Sequence, residues 1–269
     1  VADSPEGMVS IVTSANAHNA SSAHSNVALK ITGDFWQAVY AGENAVAGLS
    51  GHALQKPSAE KENRSSHRTK AQPITARLLT EKKIKESLLD LLRESREGDT
   101  ITIAQFYLSD RTIIREMIKT AERGASIRLI LDPNKDAFGY EKPGIPNRPV
   151  AHELHEKSDG RIDIRWYDTS GEQFHTKLAL FDRVDKPSVL ILGSANFTRR
   201  NLENYNLEMD VAVSAPADSE LVRTVKTYLD TIWHNTENHY TVSYAVYADS
   251  NSFETILYRL QETTGACSF

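Results

Sequence analysis

FHTKLALFDRVDKPSVLILGSANFTRRNLENYN, residues Phe174–Asn206, decides how this chain folds. FHTKLALF alternates polar or small residues with bulky apolar ones, the period of a strand. His175 and Lys177 therefore share one face, while Thr176, Leu178 and Leu180 turn toward apolar packing. A second strand, Ser188–Leu192, is a continuous apolar run that ends at the turn Gly193-Ser194-Ala195-Asn196. Two neighbouring strands thus bring an imidazole, an ammonium, a hydroxyl and a carboxamide to one end of a sheet. That set suits an attack on phosphorus: one nucleophile or proton donor, and several donors for phosphate oxygens. It calls for no metal and no cofactor, and none is expected.

The pattern His175-x-Lys177-x(4)-Asp182, followed by Gly193-Ser194-x-Asn196, resembles the phospholipase D superfamily. Within it, the stretches SANAHNASSAHSNVAL (14–29) and DPNKDAFG…GIPNRPVA (132–151) look most like bacterial membrane-phospholipid enzymes akin to cardiolipin synthases. The resemblance implies two pseudo-symmetric halves and a two-histidine reaction through a phosphohistidine. His175 would be the second-motif histidine, in the general acid/base role. Lys177, Ser194, Asn196, Ser14 and Asn16 would hold the phosphate oxygens. Glu208 falls where family members often place an acid that orients a catalytic imidazole. Asp182 completes the catalytic motif in a supporting, structural role, as does Asp3 in the other half.

The opening stretch repeats the central one. With Ser14-Ala15-Asn16 set on Ser194-Ala195-Asn196, Asn26 falls on Asn206, Leu29 on Met209 and Ile31 on Val211 without a gap. In this register the counterpart of Glu208 is Ala28. Moving back through a loop one residue shorter, Ala2-Asp3 falls on Phe181-Asp182. The first copy's own His-x-Lys would then lie just ahead of Val1, so the chain reads as a fragment whose N-terminal partner segment completes the site.

Domain boundaries follow. Residues 1–51 are the remnant of the first half and include a helical stripe in Gly33–Gly51. Residues 52–73 are a polar linker, and residues 74–269 are the second half. There, helical patterns (Thr80–Glu97, Asp110–Arg123, Val150–Glu156, Ala217–Asn235) alternate with strand patterns (Asp99–Leu108, Ser126–Leu131, Arg161–Tyr167, Asn206–Val213). That rhythm predicts an α/β fold with a mixed, mostly parallel sheet flanked by helices. The Pro- and Gly-rich loop Asp132–Pro149 leaves a strand end where ligand sites gather, and is a candidate cleft wall.

The net charge is −5, from 36 acidic and 31 basic residues, which disfavours nucleic acid as the partner. A single cysteine, Cys267, excludes an internal disulfide and a cysteine metal cage. No apolar run reaches the ~18 residues a membrane-spanning helix needs. The expected substrate is a phospholipid or other phosphodiester, met at a membrane surface. A nuclease of the same superfamily, or a catalytically incomplete phosphate- or lipid-binding module, is the alternative.

Overall fold

The computed structural model describes residues 1–5, 7–57, 74–137, 140–141, 143–248 and 252–264. The first part of the chain forms strands β1 (Ala2–Ser4), β2 (Gly7–Thr13) and β3 (Ala28–Thr32), then helix α1 (Trp36–Leu49). After the linker come β4 (Thr75–Thr80), α2 (Lys82–Glu94), β5 (Thr100–Gln105), α3 (Arg111–Glu122) and β6 (Ser126–Leu131). A two-residue hairpin, β7 (Asp136–Ala137) with β8 (Tyr140–Glu141), precedes α4 (Asn147–Lys157) and β9 (Ile162–Tyr167). The central motif supplies β10 (Lys177–Asp182), β11 (Ser188–Gly193), the short α5 (Arg199–Leu202) and β12 (Met209–Ala215). The chain closes with α6 (Glu220–His234), β13 (Thr241–Ser243) and α7 (Ser252–Thr264).

β1–β2–β3 form an antiparallel sheet of their own, and the remaining long strands build an eight-stranded sheet ordered β13-β9-β6-β5-β10-β11-β12-β4. Only β5–β6 and β6–β9 run parallel, linked through α3 and α4 as βαβ units require. Every other neighbour is antiparallel, so the sheet is mixed rather than mostly parallel. The reason is local: β10, β11 and β12 follow one another through connections without a crossover helix of the usual length, which leaves only antiparallel pairing. β4 was not anticipated. TARLLT sits against a polar linker and runs into the α2 pattern, yet it pairs along β12 from Thr75 to Thr80.

Alternation along the central strands sends side chains to two cores. Ala179, Phe181 and Ile191 pack with Ile84, Leu88, Ile113, Met117, Val150 and Leu154 from α2, α3 and α4. Leu178, Leu180, Leu190, Leu192, Val211 and Val213 pack with Val12 of β2 and with Leu229 and Ile232 of α6. Truncating one such buried Leu to Ala costs ~2–5 kcal/mol, so the first-copy sheet is held by the same forces as the rest. Asp110 starts α3 by accepting from the amides of Thr112 and Ile113. Among the described residues no helix is long and apolar enough to cross a membrane. Most of the linker (58–73) and Cys267 lie outside the described residues.

Candidate active site

The antiparallel register sets the start of β10 beside the ends of β5 and β11, because Lys177 pairs with Gln105 and Leu178 with Leu192. His175 and the Gly193–Asn196 turn therefore meet at the edge where the parallel strands β5 and β6 also end. His175 and Lys177 are both buried. The Lys177 ammonium lies 3.1 Å from His175 Nε2, 3.2 Å from Nδ1 and 3.1 Å from the His175 carbonyl. Phe106 lines the site, its ring centroid 5.0 Å from that of His175 and 5.4 Å from the Lys177 ammonium.

A segment of the first copy closes the other side. Ser25 donates its amide to Gln173 O at 3.0 Å and accepts from Thr176 Oγ1 at 3.2 Å. Next to it, Asn26 Oδ1 lies 3.1 Å from His175 Nδ1. The Asn26 amide group donates from Nδ2 to the carbonyls of Ser21 and His24, so its oxygen is the atom that faces the imidazole. An oxygen acceptor at Nδ1 puts the ring proton there and leaves Nε2 as the free base.

Ser14 and Ser194 were expected on phosphate, but both hydroxyls are committed elsewhere. Ser194 Oγ donates to Glu208 Oε2 at 2.5 Å and accepts from Met209 N at 3.0 Å. Ser14 Oγ donates to Asn26 Oδ1 at 3.3 Å and accepts from Val27 N at 3.0 Å. A phosphate oxygen needs a donor, and these protons are spent on positioning Glu208 and Asn26. The ungapped register is also revised: Gly193 pairs with Asp210 and Thr13 with Ala28, so the counterpart of Glu208 is Asn26, not Ala28. The stretch between turn and strand is shorter in the first copy.

Asn16 is exposed, its backbone amide donating to Ser21 Oγ, and Asn26 is the first-copy carboxamide that touches His175. Asn196 is brought to the site edge, and its Oδ1 is buried with no hydrogen-bond partner among the described residues. Asp182 lies at the far end of β10 from Lys177, bonded to Ser188 Oγ at 2.7 Å and Lys226 Nζ at 2.6 Å. That is a structural role, and it removes Asp182 from contact chemistry. Asp3 holds the matching ladder position opposite Met8, a residue without a hydroxyl, and is exposed.

Several buried groups that motif reasoning did not reach frame the site. Asp132 Oδ2 accepts from Phe174 N at 2.7 Å, fixing the residue just before His175. Asn147 donates to the carbonyls of Phe106 and Asp132 at 2.8 Å each and accepts from Leu108 N at 2.9 Å. Asn134 bridges the same carbonyl of Phe106 and the amide of Asn147. The Asp132–Pro149 loop is thus anchored into the strand ends, and a buried Asp and two buried Asn within a Pro/Gly-rich loop were the available signal. Gln105, opposite Lys177, leaves its Oε1 without a partner among the described residues.

Burial, and then the neighbouring Lys177 charge, holds the His175 pKa down to about 3. Burial likewise pulls Lys177 down to about 7, against the opposing fields of Glu208, Asp210 and Asp132. Glu208 and Asp210 are both pushed up by burial, Asp210 to about 7. At rest the site therefore holds a neutral imidazole beside a lysine whose pKa burial lowers and the acidic groups around it only partly restore. Among the described residues no group of three or more His, Cys, Asp or Glu side chains could hold a metal ion.

Residues 88–233 match the family model described as cardiolipin synthase, phospholipase D-like domain. The chain belongs to that family. This phospholipase D-like domain sits within a superfamily of phosphodiester-acting proteins. Its fold is similar to phosphatidylserine synthase from Haemophilus influenzae Rd KW20, with a TM-score of 0.60, 14% identity, and coverage of 96% of this chain and 66% of that one. Polyphosphate kinase from Porphyromonas gingivalis is similar at a TM-score of 0.54 and 16% identity, over 97% of this chain and 36% of that one. Nuc from Salmonella typhimurium, a phospholipase D family member, gives 0.47 at 14% identity, over 60% of this chain and 95% of that one. No curated protein matches.

Proposed function

We propose that this domain is the second catalytic half of a phosphatidyl-transferring or phosphatidyl-hydrolysing enzyme that acts on glycerophospholipids. The observation that carries the reading is the contact between Asn26 Oδ1 and His175 Nδ1, which leaves Nε2 as a free base beside an ammonium. A phosphodiester bound against Lys177 neutralises the charge that, after burial, most depresses the His175 pKa. The imidazole then rises toward the range in which it can give a proton to a leaving alkoxide.

Two-imidazole chemistry assigns the steps. A partner histidine attacks phosphorus, forming a P–N bond as the P–O bond to the leaving alcohol breaks, and His175 Nε2 delivers the proton to that alkoxide. In return, His175 takes a proton from water or an acceptor alcohol, whose oxygen displaces the partner histidine from phosphorus. Lys177 and Asn196 hold non-bridging oxygens throughout. The pseudo-symmetry that pairs Asn26 with His175 sets Glu208 beside the partner histidine's position. The partner is a first-copy His-x-Lys strand, and a membrane surface presents the substrate.

The test assays the chain alone and the chain joined to a first-copy His-x-Lys strand, against phosphatidylglycerol vesicles and against single-stranded DNA. Release or transfer of phosphatidyl groups only with the added strand, and little cleavage of DNA, is the expected result. Preferential DNA cleavage would replace the lipid reading with a nuclease.

A further inference from the structure

His24 lies outside the recognised motif, yet it sits on the first-copy segment that closes the site. Its Nδ1 accepts a hydrogen bond from Gln173 N at 3.1 Å. A ring nitrogen that accepts carries no proton, so a neutral His24 holds its proton on Nε2. Burial, reinforced by the charges of His18 and Lys177 and opposed by Glu172, holds its pKa below the usual histidine range, so the neutral ring is the resting form. That Nε2 is shielded from solvent and has no hydrogen-bond partner among the described residues.

Position adds the second half of the argument. The His24 ring centroid is 6.0 Å from that of His175, and the planes are tilted by 34°. The segment that carries the ring is pinned by the backbone bonds of Ser25 to Gln173 and Thr176, and the ring itself by the Gln173 amide. A buried N–H donor left unmatched is costly, and in native structures such a group calls for a partner from water, an ion or a ligand. Beside a lysine and a catalytic imidazole, the acceptor that fits is a non-bridging phosphate oxygen.

We propose that His24 is a substrate-contacting residue, whose Nε2–H donates to an oxygen of the phosphate bound against His175 and Lys177. The inference rests on reading the site as a phosphate site and adds a donor contributed by the first copy. It also gives the first-copy segment a direct part in substrate binding, beyond setting the tautomer of His175.

Inorganic phosphate titrated into the full chain, followed by histidine nitrogen NMR and calorimetry, tests it with two variants. His24→Asn keeps an oxygen near the Nδ1 position for Gln173 N but removes the far donor. His24→Gln reaches further and restores an N–H near the Nε2 position while giving up the Gln173 bond. The expected result is a wild-type melting temperature with about tenfold weaker phosphate binding for His24→Asn, and near-wild-type binding for His24→Gln. Wild-type affinity in His24→Asn, or a weaker binder in Gln than in Asn, would overturn the proposal. Phosphate that shifts the His175 signals but not those of His24 would sink this inference alone. Phosphate that shifts neither would sink the reading of the site as well.

Discussion

The two copies of the strand–turn–strand unit solve one backbone problem with different side chains. In each, a serine after the second strand clamps the third: Ser194 N donates to Met209 O at 3.1 Å, and Ser14 N donates to Val27 O at 2.9 Å. The next amide also needs an acceptor. Ala195 N finds it in the Asp210 carboxylate at 3.1 Å, while Ala15 N finds it in the Thr13 hydroxyl at 3.1 Å. Thr13 stands across from Ala28, and Gly193 across from Asp210. The pairs exchange as units. A side chain at Gly193 would collide with Asp210 Oδ1 at 2.2 Å and Met209 O at 2.3 Å. The glycine of the motif is therefore required by the close approach of the Met209–Asp210 backbone together with the buried acid, and the other copy carries threonine instead. The acidic copy adds groups near Lys177 that oppose the fall in its pKa caused by burial.

The largest expected effect breaks the comparison at its catalytic centre. In the chain joined to a first-copy His-x-Lys strand, His175→Asn should lower turnover by about 10²–10⁴. A loss below tenfold in steady-state assays would show that the second copy does not supply the proton-transfer group.

Stability comes next. Gly193→Ala should cost ~3 kcal/mol or more, because rigid backbone at Met209 cannot retreat. The converse change, Thr13→Gly, should cost less, ~1–2 kcal/mol, from added chain freedom and the lost hydroxyl bonds with Ala15 N and Val27 O. Equal denaturation midpoints for the two variants would refute the idea that Gly193 answers a crowded neighbouring strand that Thr13 does not meet.

A subtler change makes the first copy resemble the second. Asn26→Asp puts a carboxylate at His175 Nδ1, which favours the imidazolium, so the His175 pKa should climb by about one unit or more from its depressed value. NMR titration of His175 reads this directly, and a further fall would reverse the assigned contact. At the small end, Asn16→Ala should change stability and phosphate binding by less than ~0.5 kcal/mol, since its side chain is exposed.

What could be read from sequence was whatever is periodic or local. The alternation of FHTKLALF and the apolar run of Ser188–Leu192 specify two buried strands, and the registers of β1–β2 and β10–β11 coincide as the repeat implies. What escaped depends on contacts between residues far apart in the chain. Asn26 and Glu208 are equivalent only once the shorter first-copy connection is allowed, and an ungapped alignment hides that. The serines looked like phosphate donors because their residue type permits it, whereas their protons are already used by neighbours across the ladder. His24, Asp132 and Asn147 carry no motif; their meaning lies in which amide or carbonyl each meets.

The bond from Asn26 to His175 spans 149 residues of chain. Nothing local to either residue brings the two together, so the contact depends on the docking of the first-copy sheet. The imidazole thus acquires its working tautomer only after the first-copy sheet has docked. If that sheet opens for a moment, His175 loses the Asn26 contact that orients it. On the proposed reading, proton transfer by His175 then depends on how firmly that sheet is docked.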